Sequence, residues 1–180
     1  MTKALRVNGD TFVPLISERR IKTRVKQLAK QISKDYKGTV PVFIGILNGS
    51  FVFFADLIRE ITIECEVDFL KLSSYGDAKI TSGNVRLLKD LNCQVEGRDI
   101  VIVEDIVDSG LSMEYIRNLI THQNPKSFRV VTLLYKKEAV KIPLHLDYTG
   151  FVISREFVIG YGLDYSQRMR NLKQIYRLKG

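Results

Sequence analysis

Residues 99–113 of this chain read DIVIVEDIVDSGLSM. The stretch begins with a short apolar, β-branched run, Ile100–Val103, of the kind that forms strands buried on both faces. Acidic residues follow, then the small residues of a tight turn, and then a helical repeat of apolar residues from Met113 to Ile120. The pattern therefore predicts a strand, a tight turn and a helix.

Three carboxylates, those of Glu104, Asp105 and Asp108, follow this predicted strand closely. Because neighbouring negative charges repel, a divalent cation or a cationic ligand would stabilise them. Ser109–Ser112 starts the predicted helix, and the free N–H groups of a helix start bind anions. A simpler alternative is that Asp108 or Ser109 caps the helix and the other acids are solvated. The complete combination favours a metal–phosphate ligand.

Composition limits the class of protein. A chain of 180 residues with 45% hydrophobic and 27% charged residues can bury the core of a globular domain. The net charge of +8 predicts an anionic partner, either nucleic acid or a phosphorylated metabolite. Cys65 and Cys93 form no motif, which favours a reduced, cytoplasmic protein. No apolar run reaches transmembrane length and none reads as a signal peptide, so we expect no membrane association.

Strand and helix patterns alternate along the rest of the chain. After an irregular segment or short edge strand at 1–16, Ser17 is expected to cap a helix with a regular apolar stripe. Further strands are predicted at 42–47, 66–72, 85–88, 128–135 and 148–153, and further helices at 51–60 and 113–120. This alternation predicts an open, mainly parallel sheet, whose ligands bind at the carboxyl ends of the strands.

The motif Glu104-Asp105-x-x-Asp108-Ser109-Gly110-x-Ser112 after a hydrophobic strand resembles the ribose-phosphate signature of the type I phosphoribosyltransferases. From Ile44 to Leu172 the chain resembles the hypoxanthine-guanine phosphoribosyltransferases in particular. The resemblance implies an α/β fold: an open, mainly parallel twisted sheet flanked by helices, with a hairpin lid and a small hood. It implies one domain over residues 1–180, with the lid at about 73–84 and the hood formed by the N-terminal segment and about 140–180.

The resemblance also implies roles in binding phosphoribosyl pyrophosphate (PRPP). Glu104 and Asp105 would hold the ribose hydroxyls and Mg²⁺, and the segment Ser109, Gly110, Leu111 and Ser112 would bind the 5′-phosphate. The turn containing Asn48 and Gly49 would bind pyrophosphate through backbone groups next to a non-proline cis peptide bond. Asn48 stands where the family usually has lysine, which removes that cationic contact. The remaining PRPP contacts implied are Ser74 and Tyr75 in the closing loop and Arg170, expected in a C-terminal helix, on pyrophosphate.

For the purine base, the resemblance implies that Lys136 donates a hydrogen bond to the 6-oxo group, which would select against adenine. Phe157 would stack on the base, and the carbonyl groups of Val158 and Asp164 would accept its N–H groups. Asp164 would also help to hold a second Mg²⁺. Asp108 would be the catalytic residue, taking or sharing the proton at purine N7 as N9 attacks.

The implied reaction is purine salvage: hypoxanthine or guanine and PRPP would give IMP or GMP and pyrophosphate. Two alternatives remain open at this point. One is a phosphoribosyltransferase that prefers xanthine, and the other is a PRPP-sensing regulator of the same fold that binds nucleic acid, which the net charge permits. Against the regulator stands the intact set of Asp108, Lys136 and Phe157. The resemblance implies a homodimer or homotetramer.

Overall fold

A computed structural model describes residues 4–74 and 85–179 of the chain. These residues form two sheets and three helices. In chain order the elements are β1 (Leu5–Val7), β2 (Asp10–Ile16), α1 (Glu18–Asp35), β3 (Val42–Leu47), α2 (Phe51–Glu60), β4 (Glu66–Ser74), β5 (Val85–Lys89), β6 (Asp99–Val107), α3 (Leu111–Thr121), β7 (Ser127–Tyr135), β8 (Tyr148–Val152), β9 (Val158–Ile159) and β10 (Ile175–Leu178).

The larger sheet has six strands in the order β5-β4-β3-β6-β7-β8. All neighbouring pairs are parallel except β4 and β5, which form an antiparallel hairpin at one edge. The central strands are buried on both faces, as parallel strands flanked by helices must be. The predicted mainly parallel sheet and the predicted hairpin are therefore confirmed.

Helices cover both faces of this sheet. Side chains on a strand alternate between faces, so Phe43 of β3 packs with α1 and α2 while its neighbours Val42 and Ile44 pack with α3. The Ser17 hydroxyl accepts a hydrogen bond from the N–H of Arg20 and so caps α1, as predicted. The apolar stripe predicted for this helix is fully buried: Ile21, Val25, Leu28 and Ile32.

A second, smaller sheet is antiparallel, with strand order β1-β2-β10-β9. The expectation of an irregular segment or a short edge strand at residues 1–16 was wrong, since β2 has seven residues and pairs on both sides. Its partner β10 lies more than 150 residues away in sequence, so no local pattern could reveal the pairing. The range 140–180 expected for the hood includes β8, but this strand pairs with β7 in the larger sheet.

The acidic motif also differs from its expected position. The strand predicted at Ile100–Val103 extends as far as Val107, so Glu104 and Asp105 lie within β6 rather than after it. The connector predicted to form the lid, including Tyr75, lies outside the described residues from 75 to 84. Within the described ranges, no helix is both long and apolar enough to cross a membrane.

Candidate active site

Two adjoining cavities open at the carboxyl ends of β3, β6 and β7. The larger has a volume of about 770 Å³ and the smaller about 230 Å³, and both are lined by Asp105 and Asp108. The larger cavity brings together most predicted donor and purine residues: Asn48, Gly49, Asp105, Asp108, Lys136, Phe157, Val158, Asp164 and Arg170. The smaller contains most of the acidic and phosphate-binding motif: Glu104, Asp105, Asp108, Ser109, Gly110 and Ser112.

The parallel register explains why segments so distant in sequence meet here. β6 pairs with β3 on one side and with β7 on the other, so the residues that follow each strand leave the sheet at the same edge. At the first of these ends, the Leu47–Asn48 peptide bond is cis, as the resemblance implied. A side chain at Gly49 would overlap the Asp105 carboxylate, so only glycine allows the turn to approach β6 this closely.

Glu104 and Asp105 form a buried acidic pair, with exposed fractions of only 8% and 6%. Burial raises the pKa of Glu104 well above its usual range, and the neighbouring Asp105 charge raises it further. Burial also raises the pKa of Asp105, against hydrogen bonds that include one from the Ile106 N–H at 2.9 Å. Neither carboxylate forms a salt bridge with any residue in the described part of the chain.

This acidic pair fits Mg²⁺, which prefers oxygen ligands and is commonly held by one or two carboxylates together with substrate phosphates and water. Within residues 4–74 and 85–179, no cluster of three or more His, Cys, Asp or Glu side chains could hold a metal alone. A cation at Glu104 and Asp105 would therefore take further ligands from a bound substrate.

The third carboxylate of the motif has a cationic partner. Lys136 Nζ lies 2.8 Å from Asp108 Oδ2, and the lysine side chain is 10% exposed while the aspartate side chain is 54% exposed. The backbone N–H of Lys136 donates to the Val107 carbonyl group. This bond fixes the residue after β7 against the end of β6. The three acids therefore do not repel as one group, because Asp108 is paired across the sheet.

The segment after β6 forms the start of α3, and the alternative of a side-chain cap by Asp108 or Ser109 is not what begins this helix. Gly110 is the N-cap residue and has a φ of 89°, a conformation that glycine adopts without strain. The Ser109 hydroxyl accepts only a long hydrogen bond, 3.5 Å, from the Leu111 N–H. The first N–H groups of α3 can therefore bind an anion in the smaller cavity. Leu111 does not line either cavity.

Phe157 supplies an aromatic wall to the larger cavity and is 45% exposed. Its ring makes an edge contact with Tyr165, with centroids 5.8 Å apart, and a tilted contact with Phe12 at 6.3 Å. A large apolar side chain is thus held by aromatic neighbours while part of its surface faces open space. Such a surface can stack on a planar ring.

Arg170 and Asp164 form the second ion pair of the larger cavity, at 2.8 Å. The other Asp164 oxygen accepts the Gln167 N–H at 2.7 Å, and Arg170 also donates to the Gly162 carbonyl group at 2.8 Å. The sequence-based assignment of Arg170 to a C-terminal helix was wrong, because the segment between β9 and β10 consists of turns. These hydrogen bonds stabilise the turns in place of a helix.

Some cavity residues were not anticipated, and two anticipated residues cannot be placed. Lys71, Leu88 and Gln167 line the larger cavity but carry no motif that would single them out. The one feature that could have indicated Lys71 as a site residue was its position near the carboxyl end of β4. Ser74 is the last residue of β4, but its side chain is outside the described part, as is Tyr75.

Comparison with known proteins agrees with this geometry. A family model described as a phosphoribosyl transferase domain matches residues 16–166. The chain belongs to the phosphoribosyltransferase family. Its six-stranded sheet with flanking helices is the type I phosphoribosyltransferase fold.

Among relatives of this phosphoribosyltransferase, the hypoxanthine-guanine phosphoribosyltransferase of Bacillus subtilis is 46% identical over 92% of each chain. A solved hypoxanthine-guanine phosphoribosyltransferase of Bacillus anthracis superimposes with a TM-score of 0.88 at 42% identity, covering 93% of this chain and 98% of that one. The bifunctional protein TilS/HprT of Listeria innocua is 44% identical over 96% of this chain, which spans only 27% of that longer relative.

Proposed function

We propose that the protein transfers the 5-phosphoribosyl group of PRPP to N9 of hypoxanthine or guanine, giving IMP or GMP and pyrophosphate. The observation that carries the proposal is that one cavity is lined by Asp108, Lys136 and Phe157 and also by Asp105 and Arg170. Groups suited to a planar base thus face groups suited to a metal-bound phosphate. The names of the relatives in Bacillus species support the same reaction.

On the donor side, the N–H groups at the start of α3 and the hydroxyl groups of Ser109 and Ser112 would bind the 5′-phosphate. Glu104 and Asp105 would hold the ribose hydroxyls and Mg²⁺, while the backbone of Asn48 and Gly49 would bind the pyrophosphate. Mg²⁺, when bound, would neutralise charge on the leaving pyrophosphate. A cation here would also reduce the cost of burying the two carboxylates, neither of which forms a salt bridge within the described part of the chain.

On the base side, Lys136 would donate to the 6-oxo oxygen of the purine. Its ammonium group has three N–H donors, so it can keep its bond to Asp108 while it binds the base. Adenine presents an amino group at this position, and two facing donors would leave each other unpaired. Phe157 would stack on the ring, and the carbonyl groups of Val158 and Asp164 would accept N–H groups of the base.

Asp108 would act at N7, the other nitrogen of the five-membered ring that contains the attacking N9. As N9 forms its bond to the ribose carbon, electron density leaves the five-membered ring, and the proton at N7 becomes more acidic. The Asp108 carboxylate would accept or share that proton, and its 54% exposed side chain leaves it accessible to the base. The adjacent Lys136 would hold this carboxylate in position.

Arg170 would contact the pyrophosphate, and Asp164 would help to hold a second Mg²⁺. Both oxygens of Asp164 are already engaged, one in the ion pair with Arg170 and one in a hydrogen bond from the Gln167 N–H. The ion pair would therefore have to loosen as the donor binds, so that Arg170 turns to the phosphate oxygens and Asp164 turns to the metal. We further propose a homodimer or homotetramer, which size-exclusion chromatography with light scattering would determine.

The proposal is tested by one assay of purified protein with PRPP, Mg²⁺ and each of four purines. We expect pyrophosphate release and the matching nucleotide with hypoxanthine and guanine, and turnover with adenine at least about 100-fold slower. Xanthine differs from guanine only at the 2-position, near the Val158 and Asp164 carbonyl groups, so its rate measures the preference for the 2-substituent. Absence of pyrophosphate release with all four bases would overturn the proposal.

A further inference from the structure

Lys71 lines the larger cavity beside the turn that follows β3. In the parallel pairing of β3 and β4, Lys71 lies opposite Leu47, the residue immediately before Asn48. The lysine is therefore placed on the neighbouring strand, next to the turn of Asn48 and Gly49, and all of these residues line the same space. Asn48 itself carries no charge. The cation that the strand register places beside this turn is Lys71.

The charges around the larger cavity show why Lys71 differs from its other cations. Lys136 is paired with Asp108 and Arg170 with Asp164, each at 2.8 Å. Lys71 forms no salt bridge and no side-chain hydrogen bond with another residue of the described ranges 4–74 and 85–179. It is half-buried and lines the cavity, and its ammonium group has no protein counter-ion in the described part.

The acid closest along β4 is not available to Lys71. Asp68 accepts hydrogen bonds from the N–H groups of Asn92 and Cys93 and from Lys89 Nζ. Lys89 lies opposite Lys71 in the antiparallel hairpin, but its charge is neutralised by Asp68 at 3.2 Å. Of these two lysines, only Lys89 has an acidic partner in the described part of the chain, so the charge of Lys71 favours an anion on the cavity side.

We propose that Lys71 binds the pyrophosphate group of the phosphoribosyl donor and supplies the positive charge that the neutral Asn48 turn lacks. The inference rests on the proposed function, because it assumes that this end of the cavity receives a diphosphate. The backbone groups of the turn would orient the diphosphate, while Lys71 would contribute a charge-assisted hydrogen bond from the neighbouring strand. Lys71 is thus a binding residue and takes no part in proton transfer.

The first test compares Lys71→Ala and Lys71→Gln with the wild-type protein, the glutamine variant retaining most of the aliphatic stem. We expect KM for PRPP to rise about tenfold in both variants, with KM for hypoxanthine within twofold of wild type. Lys71→Arg should recover most of the affinity. The matched control is Lys37→Ala, which removes an exposed lysine far from the cavity and should leave all constants unchanged.

Isothermal titration calorimetry with inorganic pyrophosphate and Mg²⁺ gives a readout independent of turnover. We expect affinity for pyrophosphate to fall about tenfold in Lys71→Gln and to be restored in the double variant Asn48→Lys/Lys71→Gln, which moves the charge to the turn after β3. Unchanged pyrophosphate affinity and unchanged KM for PRPP in an active Lys71→Gln protein would overturn the inference. Failure of the wild-type protein to form any nucleotide would instead overturn the proposed function.

Discussion

Lys136 Nζ lies 2.8 Å from Asp108 Oδ2, and this contact joins the segments that follow two adjacent parallel strands, β6 and β7. The lysine is buried and the aspartate half exposed, so the pair presents its acidic end to the cavity. A second contact, from the Lys136 N–H to the Val107 carbonyl group, holds the two segments together through the backbone. The two side chains would therefore act on the purine as one preorganised unit.

Replacing the carboxylate of this pair tests its role as the proton acceptor. We expect Asp108→Asn to lower turnover at least about tenfold, because an amide cannot accept the N7 proton, while PRPP binds with little change. Steady-state kinetics gives the turnover and calorimetry gives PRPP affinity. Turnover close to that of the wild-type protein would show that Asp108 does not carry the proton.

Removing the cation of the pair tests recognition of the base. We expect Lys136→Ala to raise KM for hypoxanthine by about tenfold or more and to reduce discrimination against adenine, with a smaller effect on PRPP. Competition between hypoxanthine and adenine in one reaction measures the discrimination. The control is Lys137→Ala, at the neighbouring exposed residue, which should leave the discrimination against adenine unchanged. An equal loss of affinity for base and PRPP would contradict the assignment.

Removal of the divalent metal tests the acidic pair of Glu104 and Asp105. We expect excess EDTA to abolish nucleotide formation and added Mg²⁺ to restore it, because these buried carboxylates form no salt bridge with a residue of the described chain. We expect Asp105→Asn to require a higher Mg²⁺ concentration for half-maximal rate. Full activity in EDTA, after the protein has been dialysed against chelator, would exclude a metal requirement.

Asp68 predicts a pH dependence of stability at the base of the β4–β5 hairpin. Its burial would raise its pKa, but hydrogen bonds from the N–H groups of Cys93, Phe69 and Asn92 and from Lys89 outweigh this and lower the pKa to about 2, from a usual 3.8. A depressed folded-state pKa stabilises the protein above pH 4, and this contribution is lost as the pH falls towards 2.

We therefore expect Asp68→Asn to lower the free energy of unfolding by about 2 kcal/mol at pH 7, and the difference from wild type to shrink between pH 4 and pH 2. Urea denaturation followed by circular dichroism at several pH values measures it. Glu64→Gln, which alters an exposed acid on the segment before β4, is the matched control and should show little difference at any pH. A difference independent of pH would argue against the charged state of Asp68 as its source.

The sequence predicted well those parts of the molecule that depend on near neighbours. The strand from Ile100, the turn that ends at Gly110 and the helix α3 after it follow from residues adjacent in the chain. The N-terminal strand β2 was missed because its hydrogen-bond partner β10 comes from the other end of the sequence. The turn conformation around Arg170 was missed because tertiary contacts hold it. These are the ion pair with Asp164 and the hydrogen bond from the Arg170 side chain to the Gly162 carbonyl group.

The sequence by itself determined the order of the helices and of the strands of the larger sheet, and the chemical groups available for a site, because hydrophobic periodicity and turn residues act locally. Only the tertiary structure decided which of those groups meet. The register of strands far apart in the chain decides three contacts of the site. It pairs Asp108 with Lys136, buries Glu104 and Asp105, and places Lys71 beside the turn at Asn48. That register is fixed when helices cover both faces of the sheet, which is a property of the whole fold.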